Sequence, residues 1–149
     1  MDGNSIVKRR VAQLAYTNRS EQLLGTWSKL LTEETSQCNL IRLNPRTMDG
    51  WYIHAERFEW HVCIKGNVLV AVAELGAEPT GESYPQAIFV PKLVPHAIYN
   101  ASDEEAWIMV LSSQVHRLGE DEFPLPTYTD DLNKLGILWD NYFGVEHAE

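Results

Sequence analysis

The chain has 149 residues, 44% of them hydrophobic and 10% aromatic. That is enough for one domain with a buried core, and too little for a doubly wound enzyme of ordinary length or a (β/α)₈ barrel. Twelve Lys and Arg against 21 Asp and Glu leave a formal charge of −9; such a surface repels phosphate backbones and anionic lipid, so neither nucleic acid nor a membrane is an expected partner.

Near the N-terminus, the basic cluster Lys8-Arg9-Arg10 has no apolar stretch behind it, so no secretory leader is expected and the chain reads as cytoplasmic. Val7, Val11, Leu14 and Ala15 fall at i, i+4, i+7 and i+8 behind Ser5, which predicts a helix over about residues 5–16 with Ser5 as its N-cap. Leu23, Leu24 and Trp27 suggest one further helical turn. From residue 36 the texture changes. Short strands are predicted over 36–43, 51–54, 59–65, 67–74, 86–90, 96–101 and 106–111, separated by Asn44-Pro45, Asp49-Gly50, Gly66-Asn67, the Gly76 to Gly81 stretch, Pro91 with Pro95, and Ser102-Asp103. Strands this closely spaced, with no helix between them, imply an all-β antiparallel sandwich or barrel over about 27–111. A tail over 112–149 carries Pro124 and Pro126, then a closing apolar segment of Leu132, Leu135, Ile137, Leu138 and Trp139. The whole reads as one domain.

Side chains alternate between the two faces of a strand. Tyr52 and His54 therefore share a face, as do Glu59, His61 and Cys63, and as do His96, Ile98 and Asn100. If these faces line one interior, His54, Glu59 and His96 converge with Tyr52 and His61 beside them. Two imidazoles and a carboxylate form a ligand set suited to Fe, Mn, Ni or Zn, with positions left open for a substrate. Trp51, Cys63, Ile98 and Asn100 complete the expected substrate pocket, and Trp60, Tyr99 and Trp107 are further candidates for an apolar wall. Cys38 and Cys63 lack C-x-x-C spacing and read as two reduced thiols. Asp103-Glu104-Glu105 and Glu120-Asp121-Glu122 read as solvated loop charges. Trp60, Val62 and Ile64 point outward, a face that a second copy could cover, so a homodimer is expected.

The spacing also carries a resemblance. Tyr52-Ile53-His54, then Glu59 and Gly66, follows the first cupin motif, and Pro91 through Pro95-His96 to Asn100 follows the second. The chain resembles a small single-domain cupin over about residues 40–111, which implies a jelly-roll barrel with metal ligands at His54, Glu59 and His96. Tyr52 stands where the motif has its first His, and Leu93 where it has Gly. The tail Gly136-Ile137-Leu138-Trp139-Asp140-Asn141 with Gly144-Val145-Glu146, together with Thr80-Gly81 and Val90-Pro91, is similar to dTDP-4-dehydrorhamnose 3,5-epimerases, metal-free members of the same architecture. There His54 matches the catalytic base and His96 the second-motif His, whereas Glu59 stands where those enzymes generally carry Lys. The catalytic Tyr after their last core strand is replaced here by Ser112 to His116. Three functions follow as expectations. One is a metal-assisted cupin enzyme (isomerase, lyase or dioxygenase type) in which Tyr52 or His61 is the acid or base. Another is a metal-free nucleotide-sugar epimerase or isomerase with His54 as base, Tyr52 or His116 as acid, and Arg57 and Lys65 as candidate phosphate contacts. The last is a cupin that binds a small molecule without turnover.

Overall fold

The computed structural model describes residues 5–10, 13–17, 23–28, 37–114, 122–124 and 132–144. The strands are β1 (Lys8–Arg10), β2 (Gln13–Thr17), β3 (Leu23–Ser28), β4 (Gln37–Leu43), β5 (Thr47–His54), β6 (Glu59–Lys65), β7 (Asn67–Val72), β8 (Gly76–Gly81), β9 (Gln86–Val90), β10 (His96–Asn100), β11 (Ala106–Ser112) and β12 (Glu122–Pro124), followed by helix α1 (Leu132–Phe143). They form one five-stranded sheet in the order β1-β9-β6-β11-β4, a second in the order β12-β5-β10-β7-β8, and the hairpin β2-β3. All pairings are antiparallel. The expected jelly-roll architecture is the observed one. No described helix is long and apolar enough to cross a membrane.

The N-terminal segment corrects the sequence reading. The helix predicted over 5–16 is replaced by β1 and β2, and the helical turn near Leu23 by β3; Val11 lies outside the described residues. Local periodicity lost to strand pairing: the edge of β9 offers unpaired backbone groups that β1 takes up, and β2 pairs with β3. Val7 accepts the Phe89 N–H at 2.9 Å, Lys8 pairs with Ile88, and Ile6 buries its side chain beside Val70, Val72, Ile88 and Val90.

Alternation on the paired strands sorts the core into layers. Val68 and Ile98 face inward with Cys63, Ile108 and Val110, while Leu69, Ala71 and Ala97 face out beneath α1. On α1, Leu135 and Trp139 are buried at i and i+4 spacing and cover Trp51. The helix ends at Gly144, whose φ of 73° supplies the left-handed cap and whose N–H donates to the Asp140 carbonyl at 2.9 Å. On the outer face of the first sheet, Trp60 and Val62 are buried with Phe58, Phe89 and Leu111 around them, and of the trio expected to meet a second copy only Ile64 is exposed.

Asn100, expected in the substrate pocket, is instead a clamp. Its fully buried amide donates to the carbonyls of Asn44 at 3.1 Å and Glu104 at 2.8 Å, and its Oδ1 accepts from Ser102 N–H at 3.0 Å and Ser102 Oγ at 2.8 Å. Removing it strands several backbone groups, each costing about 1–3 kcal/mol when left unmet. Asn100→Ala is therefore expected to lower the unfolding free energy by about 3 kcal/mol, read as a lower urea midpoint at unchanged slope. A loss below about 0.5 kcal/mol, within the range of ordinary surface changes, would show that the clamp does not hold these loops.

Candidate active site

A cavity of about 270 Å³ lies between the two sheets, lined by Asn39, Ile41, Asp49, Tyr52, His54, Arg57, Glu59, His61, His96, Ile98 and Val110. The second sheet supplies Tyr52 and His54 from β5 and His96 from β10; the first supplies Glu59 and His61 from β6. Inward parity along each strand brings them together as the sequence implied.

Glu59 is the hub. Its Oε1 accepts from Nε2 of His54 at 3.0 Å and from Nε2 of His61 at 3.0 Å, and lies 3.8 Å from Nε2 of His96. Its Oε2 accepts from Nε of Arg57 at 3.1 Å and from Oγ of Ser112 at 3.1 Å. All six side chains are buried. Burial alone would raise the Glu59 carboxyl, but the hydrogen bonds from His54 and His61 outweigh it and hold the group well below the usual carboxylate range. The carboxylate is thus ionised, with the Arg57 guanidinium as its counter-charge.

His96 has a different role. Its Nδ1 lies 3.2 Å from the Val94 carbonyl, which can only accept, so Nδ1 carries the proton and Nε2 keeps its lone pair. Burial, reinforced by the charges of His61 and His54, pushes this imidazole down to about 3. The rings of His54 and His96 are 4.7 Å apart. The site therefore holds one imidazole presenting a lone pair next to two that present N–H.

His54, Glu59 and His96 place ligand atoms within 4.8 Å of one another, and the donor types suit a borderline divalent ion. The charge balance opposes it. Nη2 of Arg57 lies 3.5 Å from Nε2 of His54, and the Glu59 charge is already met by that guanidinium.

Other expectations need correction. Trp51 lies on the far face of β5 against Leu135 and Trp139, where alternation from His54 puts it. Cys63 shares the inward face but packs in the apolar cluster with Leu43 and Ile108; burial pushes its thiol up to about 11, so it is inert. Ile98 does line the cavity, whereas Trp60, Tyr99 and Trp107 do not. Trp60 is on the outer face, Tyr99 meets Trp139, and Trp107 lies under Arg42 and Lys65. Lys65 is accordingly remote from the cavity lining, and His116 lies outside the described residues. Arg57, read from sequence as one of two candidate phosphate contacts, is only 3% exposed and belongs to the hub. Asp49 was not anticipated at all. Nothing in the spacing marks Arg57 as a partner of Glu59; for Asp49, the adjoining Gly50 is a signal of irregular strand geometry.

No family model matches the chain, and no curated protein does. Solved structures match in shape. A sugar 3,4-ketoisomerase from Thermoanaerobacterium thermosaccharolyticum in complex with TDP superposes with a TM-score of 0.65 at 12% identity, covering 85% of this chain and 91% of that one. The rmlC epimerase of Mycobacterium tuberculosis gives 0.66 at 12%, over 98% and 76%. ChmJ, a 3'-monoepimerase from Streptomyces bikiniensis in complex with dTDP-quinovose, gives 0.65 at 11%, over 97% and 76%. The likeness establishes the fold, a jelly roll like that of these structures.

Both unusual ionisations destabilise the fold in acid. The Glu59 contribution is complete above its unfolded value of 4.5 and is lost as pH falls toward its depressed folded value. His96, neutral when folded, must be protonated on unfolding below its ordinary 6.5, so stability also falls from there toward about 3. Denaturant titration is expected to show stability declining steadily from pH 6.5 downward, with the upper part of the decline flattened in His96→Asn. An unchanged profile in that variant would remove the buried neutral imidazole.

Proposed function

We propose that this chain is an enzyme that moves a proton beside the carbonyl of a keto sugar carried on a nucleotide, an isomerase or epimerase whose chemistry rests on its own imidazoles. The observation that carries the reading is the pairing of opposite tautomers: the His96 lone pair next to the His54 N–H, both turned to one buried, ionised carboxylate. A proton shift across a carbonyl needs an acceptor for the C–H proton and a donor for the oxygen. His96 Nε2 takes the proton from the carbon next to the carbonyl, and the Glu59 charge stabilises the imidazolium that forms. The His54 N–H and the Arg57 guanidinium donate hydrogen bonds to the carbonyl oxygen and stabilise the enolate that forms. Return of the proton from His96 to the other face of the same carbon completes an epimerisation; if the neighbouring hydroxyl passes its proton to the enolate oxygen and His96 returns its proton to the former carbonyl carbon, the carbonyl has moved by one position.

The cavity is consistent with this division. Its 270 Å³ is the space of about nine waters, enough for a sugar ring but not for the nucleotide, which would lie outside the mouth. The shape neighbours support the substrate class, since structures among them carry TDP, dTDP-quinovose and, for a mutant of the ketoisomerase, TDP-4-keto-6-deoxyglucose.

A second reading is favoured by the convergence of donors. His54, Glu59 and His96 would hold one divalent ion that polarises a carbonyl oxygen as a Lewis acid. Chelation separates the two: full activity is expected to survive it if the imidazoles act alone, and to be lost if an ion is required.

In deuterated buffer, TDP-4-keto-6-deoxyglucose is expected to gain deuterium beside its carbonyl in the presence of the protein, followed by proton NMR. His54→Asn and His96→Asn should each slow this by about 10²–10⁴-fold. No enzyme-dependent exchange with any member of a keto-sugar nucleotide panel would defeat the proposal.

A further inference from the structure

The pairing of β5 with β10 slips by one residue. His96 is opposite Tyr52, but Ala97 is opposite Gly50 and Ile98 opposite Asp49, so Trp51 is the extra residue of a bulge. The consequence is a change of face. Counting back from the inward His54 and Tyr52, strict alternation would send Asp49 outward and Met48 inward. Instead Met48 joins the outer cluster with Tyr99, and Asp49 lines the cavity. Gly50 is the residue that permits this. A Cβ there would lie 2.5 Å from the Cβ of Ala97 and 2.8 Å from its Cα, and the glycine φ is 151°.

A bulge sacrifices ladder regularity, and here the return is one carboxyl group in the cavity. That group is not needed by the hub, whose cation and donors all bind Glu59. Among the described residues its hydrogen-bond donor is the Tyr52 phenol, which leaves most of its acceptor positions open. Burial raises its carboxyl even so, the mark of a group short of partners. Its cross-strand partner Ile98 is apolar and cannot serve. An under-supplied acceptor recognises donors, and its negative charge turns phosphate away.

We infer that Asp49 is a specificity residue that accepts hydrogen bonds from a ring hydroxyl of the sugar, fixing which end of the substrate enters the cavity. The inference rests on the keto-sugar reading above and adds the contact that selects a hydroxylated ring. Asp49→Asn keeps the shape and one acceptor; Asp49→Ala removes both.

The test measures KM and kcat on TDP-4-keto-6-deoxyglucose, and Kd for TDP alone, in wild type and both variants, with thermal melts to establish folding. KM is expected to rise about 10–100-fold in Asp49→Ala and less in Asp49→Asn, kcat to fall far less, and TDP affinity to stay within about twofold. If the alanine variant does not fold, the isosteric Asn variant decides. Unchanged KM, or TDP affinity falling in step with it, overturns the role of Asp49 while leaving the keto-sugar reading intact. Wild-type protein that neither binds nor converts the sugar nucleotide overturns that reading and, with it, the hydroxyl contact.

Discussion

A carboxylate removed from water must find its compensation inside the protein, and most of this structure's polar interior is the compensation of Glu59. Isolated burial would cost several kcal/mol, so each oxygen is met twice: one by two imidazoles, the other by a guanidinium and a hydroxyl. The partners come from both sheets and the turn between β5 and β6, so the cluster joins the two halves of the barrel at a point where apolar packing is interrupted. The Phe58 N–H donates to Ser113 Oγ at 3.0 Å, and Ser113 N–H donates back to the Phe58 carbonyl at 3.1 Å, which fixes the turn that carries Arg57. The same arrangement makes the site chemically asymmetric, because Glu59 engages the N–H of His54 while His96 is held in the other tautomer by Val94.

Sequence alternation was enough to place Tyr52, His54, Glu59, His61, His96 and Ile98 in one interior, because each lies on a regular strand next to clear punctuation. The failures have separate physical causes. Residues 5–16 have helical spacing, yet β1 pairs with the open edge of β9 and β2 pairs with β3. Asp49 was hidden by the bulge, since one additional residue reverses every side chain before it. Cys63 and Asn100 do point inward, but the interior is longer than the cavity, and both sit in stretches where packing or loop clamping occupies the space. Arg57 is in a turn, where no periodicity reports which side chains are drawn inside.

The two positions at which the chain differs from the motifs it resembles have different structural roles. Tyr52 stands where the motif has His, and its phenol donates to Asp49. Leu93 stands where the motif has glycine and adopts a left-handed backbone with a φ of 65°, a conformation costing an L-residue roughly 1–2 kcal/mol. Its N–H donates to the His54 carbonyl at 2.7 Å, so the strained turn anchors the end of β5 that bears the site.

The protonation pattern of the three imidazoles is the most direct point of contact with experiment. In ¹⁵N-labelled protein, long-range ¹H–¹⁵N spectra report which ring nitrogen of each His carries its proton. His54 and His61 are expected to be protonated at Nε2, and His96 at Nδ1 alone, with His96 remaining neutral down to pH values near its folded value of about 3. A His96 ring protonated at Nε2, or one that titrates near its ordinary value of 6.5, would contradict the donor and acceptor roles on which the proposed chemistry depends.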